Sequence, residues 1–288
     1  MIFIEVMIPK VIHYCWFGRN SLPPLAVKCL ESWKRFFPDY EIKEWNEDNF
    51  DVNIISYTAE AYRVKKYAFV SDYARFWILY HYGGLYFDTD VEVIKSMDDI
   101  IAKGSFMGCE KDADKEGATA LAVAPGLGLG VNPGLGLGVN PGLGLGVNPG
   151  LGLGVNPGLG LYGELLQLYA GLHFIKEDGG LNLKTVVDYT TEVLISHGLK
   201  NVPMLQNVAG VWIYPRCYFN PKDYETGKMT ITENTYSIHH FAASWHPWYA
   251  VLEKNIWNIC GMRNHDILYR GVEKIKKGIR KICFRSIH

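Results

Sequence analysis

Two carboxylates one residue apart, Asp88 and Asp90 in Gly83-Gly84-Leu85-Tyr86-Phe87-Asp88-Thr89-Asp90, are the side chains here whose type and spacing best suit chemistry. Paired hard oxygens can hold a divalent cation, Mn2+ or Mg2+, which offsets the charge that develops on a departing diphosphate. On an extended strand both acids share a face, so one can reach the ion and the other a sugar, a ribose or a metal-bound water. Taken alone, an Asp-x-Asp pair is as readily a turn-capping element.

Asp72 and Arg75 stand upstream at i, i+3 spacing, which puts both on one face of a helix. They suit hydrogen bonding to ligand hydroxyls, or a buried salt bridge within the helix. The element carrying them is a periodic segment over Ala59 to Tyr82, with Tyr62, Lys66, Phe69, Tyr73, Trp77 and Tyr80 at helical spacing and Gly83-Gly84 as its stop. Leu85-Tyr86-Phe87 then reads as a short strand, so the two acids fall at the carboxyl end of a sheet, where open α/β folds bind ligands.

The surrounding pattern supports that placement. Val11 to Gly18 reads as a buried first strand, Leu25 to Phe36 as a helix stopped by Pro38, and Tyr40 to Trp45 as an alternating strand. Further on, Leu161 to Phe174 and Leu183 to His197 read as amphipathic helices, and Val211 to Tyr214 and Thr235 to Phe241 as strands. The composition, 48% hydrophobic and 20% charged with a net charge of −1, is that of a globular chain with no global attraction to nucleic acid. Six cysteines without C-x-x-C spacing point to reduced thiols in a cytoplasm, and no apolar run is long enough to span a bilayer.

Residues 117–163 differ in kind, for they carry no charged side chain. Copies of Pro-Gly-Leu-Gly-Leu-Gly-Val-Asn run over Pro125–Asn132, Pro133–Asn140, Pro141–Asn148 and Pro149–Asn156, with a truncated copy ending at Leu161. The glycines never fall into G-x-G-x-x-G, so a phosphate cradle is excluded. Alternate glycine carries a large ordering entropy, and a flexible, elastin-like surface insertion is the expectation. At the end, Arg270 to Arg285 holds seven Lys or Arg and one Glu, with Leu268, Val272, Ile275, Ile279 and Ile282 at helical spacing. Such a segment lies on an anionic membrane or packs as a solvated terminal helix.

The run from Tyr67 through Asp72, Arg75 and Gly83-Gly84 to Asp88-Thr89-Asp90-Val91-Glu92 resembles glycosyltransferase family 32, the bacterial capsular-polysaccharide transferases and yeast mannosyltransferases with a sugar-binding Asp-x-Asp region. Ile8 to Gly18 resembles the family's first strand, and Tyr236-Ser237-Ile238-His239-His240-Phe241 with Ala243-Ser244-Trp245 its C-terminal block. The resemblance implies a GT-A fold: a Rossmann-like α/β domain with a mixed central sheet flanked by helices, here carrying a flexible Gly/Pro/Leu repeat insertion. The implied layout is a transferase domain over 7–262, the repeat at 125–161 within it and a basic tail over 263–288.

The same resemblance implies a metal-dependent retaining hexosyltransferase. It would take a UDP- or GDP-linked sugar and a glycan or lipid-linked oligosaccharide acceptor, in capsule or surface-polysaccharide synthesis. Asp88 and Asp90 would hold the ion and donor, Asp72 and Arg75 the donor sugar, with Tyr86 beside them. Trp16 would stack on the base or else sit as a core residue, and Ser244 and Trp245 would close over the diphosphate. His239 and His240 are candidate metal ligands, only one of which can face the site from a strand. The implied location is cytoplasmic, with the basic tail at the inner face of the membrane. Two other readings of the acids are a haloacid-dehalogenase-like phosphatase, whose pattern wants Thr or Val where Glu92 stands, and a non-catalytic membrane-associated interaction protein.

Overall fold

The computed structural model describes residues 7–111, 145–223 and 227–242. Ser244, Trp245, the tail over 263–288 and the repeat copies before Leu145 lie outside the described residues.

A mixed sheet runs through the described part, between two apolar layers. Its strands are β1 (Val11–Cys15), β2 (Glu41–Trp45), β3 (Gly84–Tyr86), β5 (Phe106–Lys111), β6 (Gly146–Asn148), β7 (Leu153–Val155), β8 (Gln206–Val208) and β9 (Val211–Tyr214), and β4 (Val91–Val93) lies outside it. The strand order is β2-β1-β3-β7-β5-β9-β8, with β6 paired to β5. Strands β2, β1 and β3 are mutually parallel, as are β5 and β9, while β7 runs antiparallel to both β3 and β5. Alternation along each strand sends side chains to opposite layers: Ile12, Tyr14, Leu85 and Phe106 to one, Cys15, Tyr86, Met107 and Ile213 to the other.

The helices are α1 (Pro24–Phe36), α2 (Ser56–Arg63), α3 (Tyr67–Tyr82), α4 (Asp98–Ile101), α5 (Gly160–Ala170), α6 (Val186–Ser196) and α7 (Arg216–Phe219). Pro24 opens α1, where its fixed φ suits the first turn. Buried Trp33 of α1 donates from Nε1 to the carbonyl of Val91 at 2.8 Å, fixing the chain just beyond the two acids. A last strand, β10 (Ser237–His239), pairs antiparallel with β4 in a separate two-stranded ribbon.

The segment predicted as one helix over 59–82 is two, α2 and α3. Lys65 between them has φ 58°, a left-handed conformation that no continuing helix allows. Helix α3 is buried on nearly all sides, with Phe69, Val70, Tyr73, Ala74, Phe76, Ile78 and Leu79 in the core. Asp72 and Arg75 are thus carried into the interior by an otherwise apolar helix. The helix ends at Gly83, φ 63°, whose carbonyl accepts a hydrogen bond from Nε2 of buried His13 at 3.0 Å. Nδ1 of the same ring accepts from Trp45 Nε1, and burial holds its pKa down at about 4, so His13 stays neutral.

The repeat tract differs most from expectation. From Leu145 to Leu161 it is no flexible loop: it supplies β6, β7 and the start of α5, with Leu145, Val147, Leu151, Leu153, Val155 and Leu161 buried. The reason is that Gly-Leu-Gly-Leu-Gly-Val has the period of a strand. In β7, Leu153 and Val155 enter one layer, while the bare face at Gly154 lies against the Phe106 ring, where an added Cβ would sit 2.2 Å from Cε1. Apolar burial on one face and ring contact on the other offset the entropy of ordering the glycines. Asp88 to Asp90 also departs from an extended strand. The chain leaves β3 and turns, with the Val91 amide donating to the Asp88 carbonyl at 3.0 Å, so the two acids acquire different neighbours.

Candidate active site

Helix α3, the end of β3 and the turn between β6 and β7 meet at Asp88. Arg75 Nη2 lies 3.1 Å from Asp72 Oδ1 and 3.3 Å from Asp88 Oδ1, and Nη1 donates to Asp88 Oδ2 at 3.4 Å. Its Nε is held by the Ser71 carbonyl at 3.1 Å, and its guanidinium lies over the Tyr86 ring, 5.0 Å from the centroid. The Tyr86 hydroxyl donates to Asp88 Oδ1 at 3.3 Å. Tyr86 itself is buried, so it supports Asp88 and Arg75 from behind. The Asp88 amide donates to the Gly150 carbonyl at 2.9 Å.

Electrostatics follow burial. The Asp72 carboxyl is pushed up to about 7 by burial, against the pull of Arg75 and with the charge of Asp88 adding to the rise. Burial works against the Arg75 charge too, but Asp88, Tyr86 and Asp72 more than offset it, and the guanidinium stays protonated. One cation is therefore shared by two acids of unequal exposure, 10% for the Asp72 side chain and 29% for that of Asp88.

Asp90 faces another set of partners. His239 Nε2 is 3.3 Å from its Oδ1, the Ala242 amide donates to Oδ2 at 2.8 Å, and its carbonyl accepts from the His240 amide at 3.0 Å. Burial alone would raise the Asp90 pKa, but the His239 charge and these hydrogen bonds hold it down at about 2. His239 is correspondingly raised, because Asp90, Glu110 and Asp88 outweigh its burial. Its Nδ1 is buried without a hydrogen-bond partner among the described residues. The His240 ring goes elsewhere, to Glu92 Oε2 at 2.8 Å, where Lys28 Nζ also donates at 2.8 Å. The two imidazoles thus reach two different carboxylates.

Trp16 lies just past β1, half-buried, with Nε1 donating to the Asn20 carbonyl at 2.7 Å. Sequence reasoning places Glu110 among the acids near the site without assigning it a role, and it gave none to two further residues that the fold brings to the acids. Glu110 on β5 is half-buried, and desolvation raises its pKa, with His239, Asp88 and Asp90 also acting on it. Asn148 donates from Nδ2 to Glu110 Oε2 and accepts from the Gly150 amide at 2.7 Å. Gly150 lies against the Asp88 carboxylate itself. The strand period of the octapeptide was the signal that could have found the last two.

Residues 23–107, which contain Asp72, Arg75, Asp88 and Asp90, match the family described as glycosyltransferase sugar-binding region containing DXD motif. This segment is therefore similar to the sugar-binding region of such glycosyltransferases. The sugar-binding region also aligns with curated relatives. Inositol phosphoceramide mannosyltransferase 1 of Schizosaccharomyces pombe is 31% identical over 111 residues, 35% of this chain and 33% of the relative. An uncharacterized glycosyltransferase of Acanthamoeba polyphaga mimivirus is 32% identical over 115 residues, 36% of this chain and 44% of that one. The match therefore spans less than half the length of either relative. Among solved structures, the PaToxG glycosyltransferase is similar with a TM-score of 0.43 and 17% identity, over 66% of this chain and 69% of that one.

Proposed function

We propose that the protein is a metal-dependent, retaining glycosyltransferase of the GT-A kind, moving a hexose from a UDP- or GDP-linked donor to a glycan or lipid-linked acceptor. The observation that carries this reading is the sharing of Arg75 between Asp72 and Asp88 inside a segment of the sugar-binding type. The names of the S. pombe relatives favour mannosyl transfer to a lipid-borne acceptor. The reading keeps one transferase domain over 7–262 and a basic tail over 263–288 that meets the inner face of a membrane in surface-polysaccharide synthesis. Among the described residues no helix is long and apolar enough to cross a bilayer.

The residues fit such chemistry as follows. Asp88 and Asp90 are hard oxygen donors at a strand end, with His239 beside Asp90. Among the described residues no three His, Cys, Asp or Glu side chains gather as a complete ligand set, which suits an ion whose shell is completed by donor phosphates. When bound, the ion would neutralise charge on the leaving diphosphate. Arg75, permanently charged, orients the Asp88 carboxylate while Asp72 offers its second oxygen to a sugar hydroxyl. Tyr86 fixes the Asp88 carboxylate from the core side. The rate then comes from positioning and electrostatics, with no protein nucleophile assigned.

The test is incubation with Mn2+ and a panel of UDP- and GDP-sugars, following slow donor hydrolysis. Asp88→Ala and Asp90→Ala should each abolish it while the circular dichroism spectrum stays folded. Hydrolysis that survives both substitutions, or release of phosphate from simple monoesters alone, would overturn the reading.

A further inference from the structure

We propose that Gly150, second residue of the last complete octapeptide, is a positioning residue for the Asp88 carboxylate, so that the repeat forms one wall of the sugar-nucleotide site. This rests on the transferase reading of Asp88; the geometry behind it does not. The Gly150 carbonyl accepts the Asp88 amide at 2.9 Å, which sets the backbone at the point where β3 ends. A Cβ at Gly150 would lie 1.7 Å from Asp88 Oδ2, 2.6 Å from its Cγ and 2.9 Å from Arg75 Nη1. No real side chain tolerates such contacts, so Ala at this place must displace the carboxylate, the guanidinium or both.

The demand for glycine here is one of space. Gly150 is not among the residues of positive φ, so an L side chain could adopt its backbone. Its amide is in turn held by Asn148 Oδ1 at 2.7 Å, and Asn148 bridges to Glu110, which ties the turn to β5. Gly154 of the same octapeptide is the natural contrast. An added Cβ there would meet the Phe106 ring at 2.2 Å and no charged group. One glycine therefore serves the core and the other serves Asp88.

The experiment is a thermal-unfolding cycle on the full chain: Gly150→Ala, Asp88→Ala and the double variant, with Gly154→Ala alongside and donor hydrolysis measured with Mn2+. We expect Gly150→Ala to lower Tm by about 5 °C and donor turnover by on the order of 100-fold. In the Asp88→Ala background the same substitution should shift Tm by less than about 2 °C, since the group it strikes hardest is gone and the Arg75 guanidinium is free to move aside. Gly154→Ala should lower Tm yet keep turnover per folded molecule. Equal Tm losses with and without Asp88, or undiminished turnover in Gly150→Ala, would overturn the proposal. Where Gly150→Ala does not fold, a folded double variant supports it and an unfolded one overturns it. A native chain that hydrolyses no nucleotide sugar removes the transferase reading, while the Tm cycle still decides between Gly150 and Asp88.

Discussion

Arg75 grips Asp88 with both terminal nitrogens, Nη2 at 3.3 Å from Oδ1 and Nη1 at 3.4 Å from Oδ2, while Nη2 also reaches Asp72. Such a fork fixes the plane of the carboxylate as well as its charge.

Replacing Arg75 by Met should leave two acids facing each other in a buried site. We expect a loss of about 3–5 kcal/mol in urea unfolding, the usual cost of removing one partner from a buried charge group. Arg75→Lys keeps the charge but lacks the planar fork that grips Asp88 through two nitrogens, and donor hydrolysis should fall by about 100-fold with a smaller stability loss. A fully active Arg75→Lys variant would show that the planar fork is not needed.

Asp72 gives a pH dependence of definite sign. Its folded-state pKa, about 7, lies above the ordinary carboxylate value, so its contribution to stability is complete below that ordinary value and is lost as pH rises through about 7. Urea unfolding of Asp72→Asn should therefore show a flatter profile than the native chain between pH 4 and 8. A steeper profile would contradict the burial argument.

The Asp90–His239 pair has the opposite dependence at its acidic end. Asp90 is held at about 2, so its contribution is present above the ordinary carboxylate value and is lost as pH falls through about 2. His239 is raised, so its share is complete below the ordinary imidazole value and is lost as pH rises through the raised one. His239→Gln should remove that alkaline loss and also weaken the acid limb, because the His239 charge is the main influence holding Asp90 down, as read from unfolding midpoints across the two limbs.

Removing Pro133–Asn140 in register leaves residues 141–161 unaltered in sequence, and we expect an unchanged melting temperature. Removing Pro133–Asn156 gives the same polypeptide as removing Pro125–Asn148, because the copies are identical. In that chain Leu121-Ala122-Val123-Ala124 precedes the remaining octapeptide where Leu145-Gly146-Val147-Asn148 stood, so Leu and Val are kept and Asn148 becomes Ala. It should fold, less stable by about 1–3 kcal/mol for the lost Asn148 bonds to Glu110 and Gly150. An aggregated product would mean that the remaining copy cannot rebuild β7.

The elements with strong periodicity were legible in the sequence: β1, α1, β2, α5, α6 and β9 fall where apolar spacing puts them. The break at Lys65 was not, because Lys is a good helix former; its left-handed φ closes α2, with the Lys66 amide donating to the Ala61 carbonyl at 2.8 Å. Strands of three residues, such as β4, β6 and β8, are too short for any periodic window to register. Asp72, Arg75 and Asp88 could be grouped because a helix, its glycine stop and a strand link them within a few residues. Glu110, Asn148 and Gly150 reach the same place only through pairing of β5, β6 and β7, and composition hid two of them: alternate glycine read as disorder, though the alternation itself had the strand's period.

That alternation has a consequence for how the gene can change. A unit of eight is even, so inserting or losing whole copies leaves the alternation of leucine or valine with glycine in phase along the sequence. Replication slippage over this tract shifts length in steps that the sheet does not sense as a change of phase. A seven- or nine-residue unit would turn each new copy inside out.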